Sequence, residues 1–379
     1  MGILVATIPV QKIAETTVPV SAHRSRVSHA IPPVNNMDSL RLFFASIVVF
    51  AHCYDLTLNA ALIPLRTLAY SSVAVQGFFI LSGFLVTMSY ERSKTLKSYL
   101  NKRIRRIYPA YFAIIVLCSV LGVWLTTLSL REYFGLDLLK YLFANLIFLN
   151  FLRPNLPGVF DGNLLNAVNG SLWTIKIEVS FYLAVPVICY FIRKFGALKM
   201  LIAIYILSFA YKYTFDYLSV TTGRNIFDLL AKSLPGQMMY FVSGAALYYY
   251  FDVLMKQKLV AFAVGIVLLG LGWGLGFEPV APIGLALVVF SVAFGPYFGN
   301  AARFGDLSYG VYITHFPIVQ TLILFGAFAA NPYLATAGAY VLAVLAALVS
   351  WHLIEKQWLS RSSHYVAVNT SVPAGHTAS

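Results

Sequence analysis

Arg41 and His52 stand eleven residues apart in the apolar stretch LRLFFASIVVFAHCYDL. At 100° per residue, eleven steps return a helical side chain to within about 20° of its starting face, about 16 Å further along the axis. In a helix that spans a bilayer, Arg41 then lies near one surface and His52 about halfway across a ~30 Å hydrocarbon core. An ionisable side chain at that depth is costly to hold and marks a functional site by default. An imidazole there can accept a proton from a hydroxyl or carry a transferred group covalently. It can equally be a packing histidine bonded to a neighbouring backbone. Asp55, three residues on, can orient the ring or face water at the helix end.

Two further segments carry chemistry. In KRIRRIYPAYF, Arg103 and Arg106 share a helical face at i, i+3, and Pro109 is expected in the first turn of a span. Paired guanidiniums at a helix start suit phosphate oxygens, which they grip in a planar fork. A basic cluster beside a membrane also serves to fix topology or to touch anionic lipid. In GSLWTIKIEVSFYL, Glu178 sits about two turns into an apolar helix, where a carboxylate needs a partner. Lys176 is poorly placed for that, because i, i+2 side chains diverge. Water, a substrate hydroxyl or a cation from another helix would serve, and a structural Glu–Arg clamp is the competing reading. Gly77, Ser82 and Gly83 in GFFILSGFL most simply permit close helix packing. His315 in SYGVYITHFP, two residues before Pro317, reads more readily as structural than as catalytic.

The elements that must position these residues are membrane helices. The 379-residue chain is 59 % hydrophobic and 11 % charged, whereas soluble domains carry about a quarter charged residues. Its apolar runs are continuous over about twenty residues, which excludes the ten-residue alternation of an outer-membrane barrel. The net charge of +13 needs no nucleic acid to explain it, since Lys and Arg collect in the cytoplasmic loops of membrane proteins. Cys53, Cys118 and Cys189 lie in apolar stretches with neither metal nor disulfide spacing, and no metal is expected. There is no nucleotide-binding glycine loop and no internal repeat of the transporter kind.

The expected fold is an all-α polytopic membrane protein. Ten spans are expected at about 40–58, 72–90, 110–128, 172–192, 197–213, 233–251, 259–275, 281–298, 308–329 and 334–354. An eleventh apolar stretch, 138–152, is shorter and is expected as a re-entrant or interfacial hairpin. The segment ERSKTLKSYLNKRIRRIYP, with seven cations against Glu91, is expected to be cytoplasmic. If 138–152 does not cross, Arg193, Lys194, Lys199, Lys256, Lys258, Arg303, Lys356 and Arg361 fall on that same side, and both termini are cytoplasmic. Residues 1–36 and 359–379 are expected as flexible cytoplasmic tails around one membrane domain, 37–358. The order of charge and apolarity in the first tail does not suit a secretory signal.

Taken in order, these segments resemble the acyltransferase-3 family of integral membrane acyltransferases. Arg41 and His52 match its Arg-x10-His, GFFILSGFL its Phe-Phe-x-Leu-Ser-Gly-Phe, and RIRRIYPAY its Arg-x-x-Arg followed by Ile-x-Pro. LWTIKIEVSFYL matches its Leu-Trp-Ser/Thr…Glu-x-x-Phe-Tyr, and SYGVYITHFPI its Ser-Tyr-x-x-Tyr-x-x-His-x-Pro. The ending HLIEKQW is similar to its Ile-Glu-Lys-Pro, with Gln357 in place of proline. Each motif alone is weak, but the ordered set covers residues 36 to 358.

The resemblance implies transfer of an acyl group, most often acetyl, from cytoplasmic acyl-CoA to a hydroxyl of a surface or lipid-linked carbohydrate. It implies a bacterial inner membrane location and a carbohydrate or glycolipid acceptor, with polysaccharide assembly proteins as further partners. Arg41, Arg103 and Arg106 are then expected to hold the donor, and His52 and Glu178 to act in catalysis, Glu178 by positioning the sugar or supporting the imidazolium. No fused esterase-like domain is expected, so the chain is expected to pass the acyl group itself or to a separate protein. A proton-coupled transporter of a sugar or lipid-linked substrate would also put His and Glu at depth, and a scaffold for polysaccharide assembly would leave both replaceable.

Overall fold

The computed structural model describes residues 28–299 and 301–359, and within them every regular element is helical. Seven helical stretches are long and apolar enough to cross a membrane: Met37–Asp55, Ala60–Glu91, Leu96–Leu125, Gly170–Phe195, Ala197–Thr222, Leu307–Leu324 and Pro332–Trp358. The other three expected spans are shorter apolar helices, Leu234–Tyr249, Lys258–Gly274 and Glu278–Ala293. The helices used below are α1 (Met37–Asp55), α2 (Ser71–Glu91), α3 (Leu96–Leu125), α4 (Leu136–Leu146), α5 (Trp173–Phe195) and α6 (Ala197–Thr222). They continue with α7 (Leu234–Tyr249), α8 (Lys258–Leu269), α9 (Ala281–Ala293), α10 (Leu307–Leu324) and α11 (Pro332–Ser350).

Two elements differ from the sequence expectation. Pro109 lies inside the 30-residue α3 rather than in its first turn, because the helix starts at Leu96, where Thr95 Oγ1 accepts from Ser98 N at 3.1 Å. Lys and Arg are good helix formers, so the basic segment continues the helix instead of looping. The stretch 138–152 is not a hairpin. It is the 11-residue α4 followed by a 3-10 turn, and at ~16 Å it is too short to cross a ~30 Å core. Tyr111 Oη donates to Asn145 O at 2.7 Å and pins α4 to α3.

The expected tails lie for the most part outside the described residues, but the described end of the first is anchored. Asn36 is fully buried, and its amide donates to Val292 O and Pro296 O, both at 2.9 Å. Arg92 Nη2 donates to His29 O at 2.6 Å, and His29 Nδ1 meets Asp252 at 2.8 Å.

The bundle has two halves that meet along α2. On one side α2 packs against α7, and on the other against α1, which in turn packs against α10. Glycines set the first contact. A Cβ on Gly83 would stand 2.0 Å from Phe241 O, and one on Gly244 1.9 Å from Ile80 O. Helix backbones approach this closely only where a side chain is absent on each, the usual device of membrane helix pairs. The second contact is a seam of Ala45, Val49, Val311, Ala343 and Ala347 joining α1, α10 and α11. Gly244→Ala therefore forces α2 and α7 apart, at a cost on the order of 1–3 kcal/mol. Gly338→Ala, in α11 with nothing within 4 Å of its Cβ position, should leave the melting temperature unchanged or slightly raised. Thermal unfolding of the two variants in detergent checks the pair, and equal melting temperatures would refute this packing.

Candidate functional site

Asp306, at the start of α10, is 2 % exposed. Arg41 from α1 and Arg106 from α3 both donate to its Oδ2, and Ser308 Oγ donates to Oδ1 at 2.5 Å. Arg106 also lies 3.8 Å from the buried Glu355, and Asp38 lies 3.8 Å from Arg41. The chain can reach Asp306 because Gly305 adopts φ +103° and a Cβ there would collide with the Trp351 indole. Two of the three expected donor-binding arginines are thus tied to a buried carboxylate, an ion-pair cluster that joins α1, α3 and α10.

The third behaves differently. Arg103 lies 5.7 Å over the Tyr182 ring, and its Nε is buried without a hydrogen-bond partner. All three arginines line one cavity of about 620 Å³, together with Arg92 and Lys102. Asp38 and Glu178 are the carboxylates on its wall, so the lining is strongly cationic. Glu178 accepts from Tyr182 Oη at 2.6 Å and forms no ion pair among the described residues. Lys176 lies over the Phe151 ring at 4.2 Å instead. The Glu–Arg clamp weighed for Glu178 occurs elsewhere, between Glu91 and Arg193 at 2.9 Å. Ser82 Oγ also lines the cavity, buried and without a hydrogen-bond partner.

His52 lies beyond this cavity, away from Glu178. Its Nδ1 is 2.7 Å from Nε2 of the fully buried His315, with the rings within 12° of parallel. His315 Nδ1 lies 3.2 Å from Val311 O. A carbonyl only accepts, so His315 Nδ1 carries the hydrogen and, in the neutral ring, Nε2 is the acceptor. His52 Nδ1 must then donate, which leaves the lone pair of neutral His52 on Nε2, the nitrogen a general base would use. Asp55 takes no part, because it pairs with Arg66 at 2.8 Å.

Tyr312 stands between the cavity and the histidines. It lines the cavity, its ring is 5.9 Å from His315 and 5.6 Å from Phe78, and its hydroxyl meets Thr174 Oγ1 at 2.7 Å. Sequence reasoning missed two participants. Asp306 lies two residues before the SYGVYITHFP segment, a charged residue at the threshold of an apolar run, and that position was its signal. His315 was visible but read as structural, because nothing local pairs it with a residue 263 positions away.

A family model described as an acyltransferase domain matches residues 34–354. Nodulation protein 10 of Rhizobium leguminosarum bv. viciae is 30 % identical over 361 residues, covering 89 % of this chain and 96 % of its own. The O-acetyl transferase of Shigella phage Sf6 is 26 % identical over 336 residues, covering 87 % of this chain and 97 % of its own. Acyltransferase MdmB of Streptomyces mycarofaciens is 26 % identical over 177 residues, covering 40 % of this chain and 38 % of its own. No solved structure matches. The ordered motifs, the helical membrane fold and the match across nearly the whole bundle agree: the chain belongs to the acyltransferase-3 family of membrane acyltransferases.

Proposed function

We propose that this acyltransferase moves an acyl group, acetyl in the simplest form, from acyl-CoA to a hydroxyl of a surface or lipid-linked carbohydrate. The observation that carries the reading is the succession along α1 and α10 of a cationic cavity, Tyr312 and a hydrogen-bonded histidine pair. The name of the phage relative, an O-acetyl transferase, supports oxygen as the acceptor atom and acetyl as the group. In the proposed topology the three shorter helices also cross, giving ten spans. The basic segment 91–106 and both termini then face the cytoplasm of a bacterial inner membrane.

CoA is polyanionic, and the cavity offers it an excess of cations. Arg103, Arg92 and Lys102 take its phosphates, while Arg41 and Arg106 contribute field from their places on Asp306. Ser82 Oγ and Glu178 suit the amides of the pantetheine arm, which leads the thioester past Tyr312. At the far end His52 Nε2 takes the proton of the acceptor hydroxyl. The oxygen attacks the thioester carbonyl, the C–S bond breaks, and the departing CoA sulfur takes the proton back from the imidazolium. His315 holds the imidazole in the tautomer that this step requires.

Acyl transfer from radiolabelled acetyl-CoA by purified protein in liposomes tests the reading. Label should reach carbohydrate, and His52→Ala should lower the rate about 10²–10⁴-fold without loss of folded protein. Label that stays on CoA, with every acyl-CoA tried, would sink the reading. His315→Phe should lower kcat and shift the pH profile while leaving KM for acyl-CoA unchanged, and His315→Gln should restore part of the rate. An unmoved profile would reduce His315 to packing. The arginines should divide in the same assay. Arg103→Ala should raise KM for acyl-CoA with little change in melting temperature. Asp306→Asn, by removing the buried anion that two part-buried arginines share, should cost about 3–5 kcal/mol of stability, read from unfolding in detergent.

A further inference from the structure

A second cavity, of about 380 Å³, lies between α2, α6, α7 and α9, at the end of the bundle opposite the basic segment. Its position follows from helix direction. Arg193 and Tyr249, at the C-terminal ends of α5 and α7, both bond to Glu91 at the C-terminal end of α2. That end adjoins the basic segment, and α6 starts from it directly after α5. Lys212 is fifteen residues along α6, ~22 Å away, Gln76 lies near the opposite end of α2, and Tyr240 lies in the opposite half of α7. These three line the second cavity with Tyr213, Asp216, Trp273 and Glu278.

The composition of this wall differs from that of the first. Lys212 is ion-paired with Asp216 on the next turn of α6, and Glu278 adds a second carboxylate, so the lining is net negative. That charge does not favour phosphate or CoA. Two carboxylates, an amide and an ammonium can together accept from and donate to vicinal hydroxyls, while the exposed Tyr213 and Trp273 offer aromatic surface to the C–H face of a pyranose. An aromatic belt at the membrane surface would account for the rings alone. It does not account for their sharing a concave wall with four polar side chains.

Nor does it account for the backbone. α8 ends in a π-helical turn, Gly270–Gly274, a departure from α geometry that concentrates at functional sites. Gly272 in that turn is pressed against α9, where a Cβ would lie 2.7 Å from Ala281 Cβ, and Gly276 follows at φ +76°. Tyr205 Oη donates to Pro279 O at 2.5 Å and holds the loop that carries Glu278. The irregular turn leaves Trp273 51 % exposed at the cavity wall.

We propose that this cavity is a carbohydrate-binding site for a neutral or amino-sugar oligosaccharide, on the membrane face opposite the CoA cavity. That the bound glycan is the acyl acceptor rests on the reaction proposed above, whereas the binding itself does not. The test therefore uses the full chain with His52→Ala in nanodiscs without acyl-CoA, where no transfer occurs. Maltotetraose, cellotetraose, chitotetraose and mannotetraose are titrated by calorimetry up to millimolar concentrations. At least one should bind, and Trp273→Ala and Glu278→Gln should each weaken that affinity about tenfold or more while keeping the parent melting temperature. Arg103→Ala should not change it. The site is overturned if none of the four binds, or if both cavity variants bind as well as the parent. It is also overturned if choline or phosphatidylglycerol headgroups, rather than sugars, compete for Trp273. Binding without acyl transfer in the wild-type protein would uphold the site and count against the proposed reaction.

Discussion

A carboxylate buried among apolar helices cannot stand alone, and Asp306 shows what its company accomplishes. Two guanidiniums from different helices and the Ser308 hydroxyl converge on it. Removing either arginine would leave a buried anion poorly matched, a penalty of several kcal/mol. The cluster therefore fixes how α1, α3 and α10 stand along their axes. α1 and α10 run in the same direction from this point. Arg41 to His52 is eleven residues along one, and Asp306 to His315 is nine along the other. The two contacts, Arg41–Asp306 and His52–His315, are rungs between parallel helices. Small residues between them, Ala45, Val49 and Val311, let the uprights lie close enough for both to form. The spacing of Arg and His on α1 is thus a register mark. If α1 slipped by one turn, about 5.4 Å, both rungs would be lost together.

The clamp also divides labour among the cations. An arginine tied to a buried carboxylate still contributes field to the cavity it lines, but the ion pair fixes where it stands. Arg103 is placed otherwise, against the Tyr182 face and with no ion pair among the described residues. The pair at i, i+3 looks equivalent in the sequence and is not equivalent in the fold. Arg106 is the one that meets Asp306, and the next residue along α3, Ile107, accepts from Tyr309 Oη of α10 at 3.0 Å.

That difference marks how far the sequence could be read. Apolar runs located the seven helices long and apolar enough to cross a membrane, because burial in lipid leaves a signal in every residue of the run. The shared face of Arg41 and His52 followed from helical geometry alone, and the unbroken α1 preserves it. The role of Gly83 was legible as close packing, since a small residue in an apolar helix has few other uses. Long-range pairings were not legible. Asp306 with Arg41 spans 265 positions, and nothing near either residue names the other. The start of α3 was misread because proline is a strong local signal, whereas the helix is set by the Thr95 cap fourteen residues before Pro109 enters its interior.

The contrast between the two buried polar pairs bears on mechanism. Asp306 carries full charge, so the fold surrounds it with cations and makes it immovable. His52 and His315 carry none while neutral, so they can sit at depth with a single hydrogen bond between them and a carbonyl behind. A carboxylate in the position of His52 would need its own clamp, and a clamped carboxylate is a poor base. An imidazole becomes charged only while it holds the proton of the acceptor, and it loses that charge when the sulfur leaves. On the proposed reaction the membrane interior therefore houses a charge for the lifetime of one step, next to an uncharged ring that fixes which nitrogen receives it.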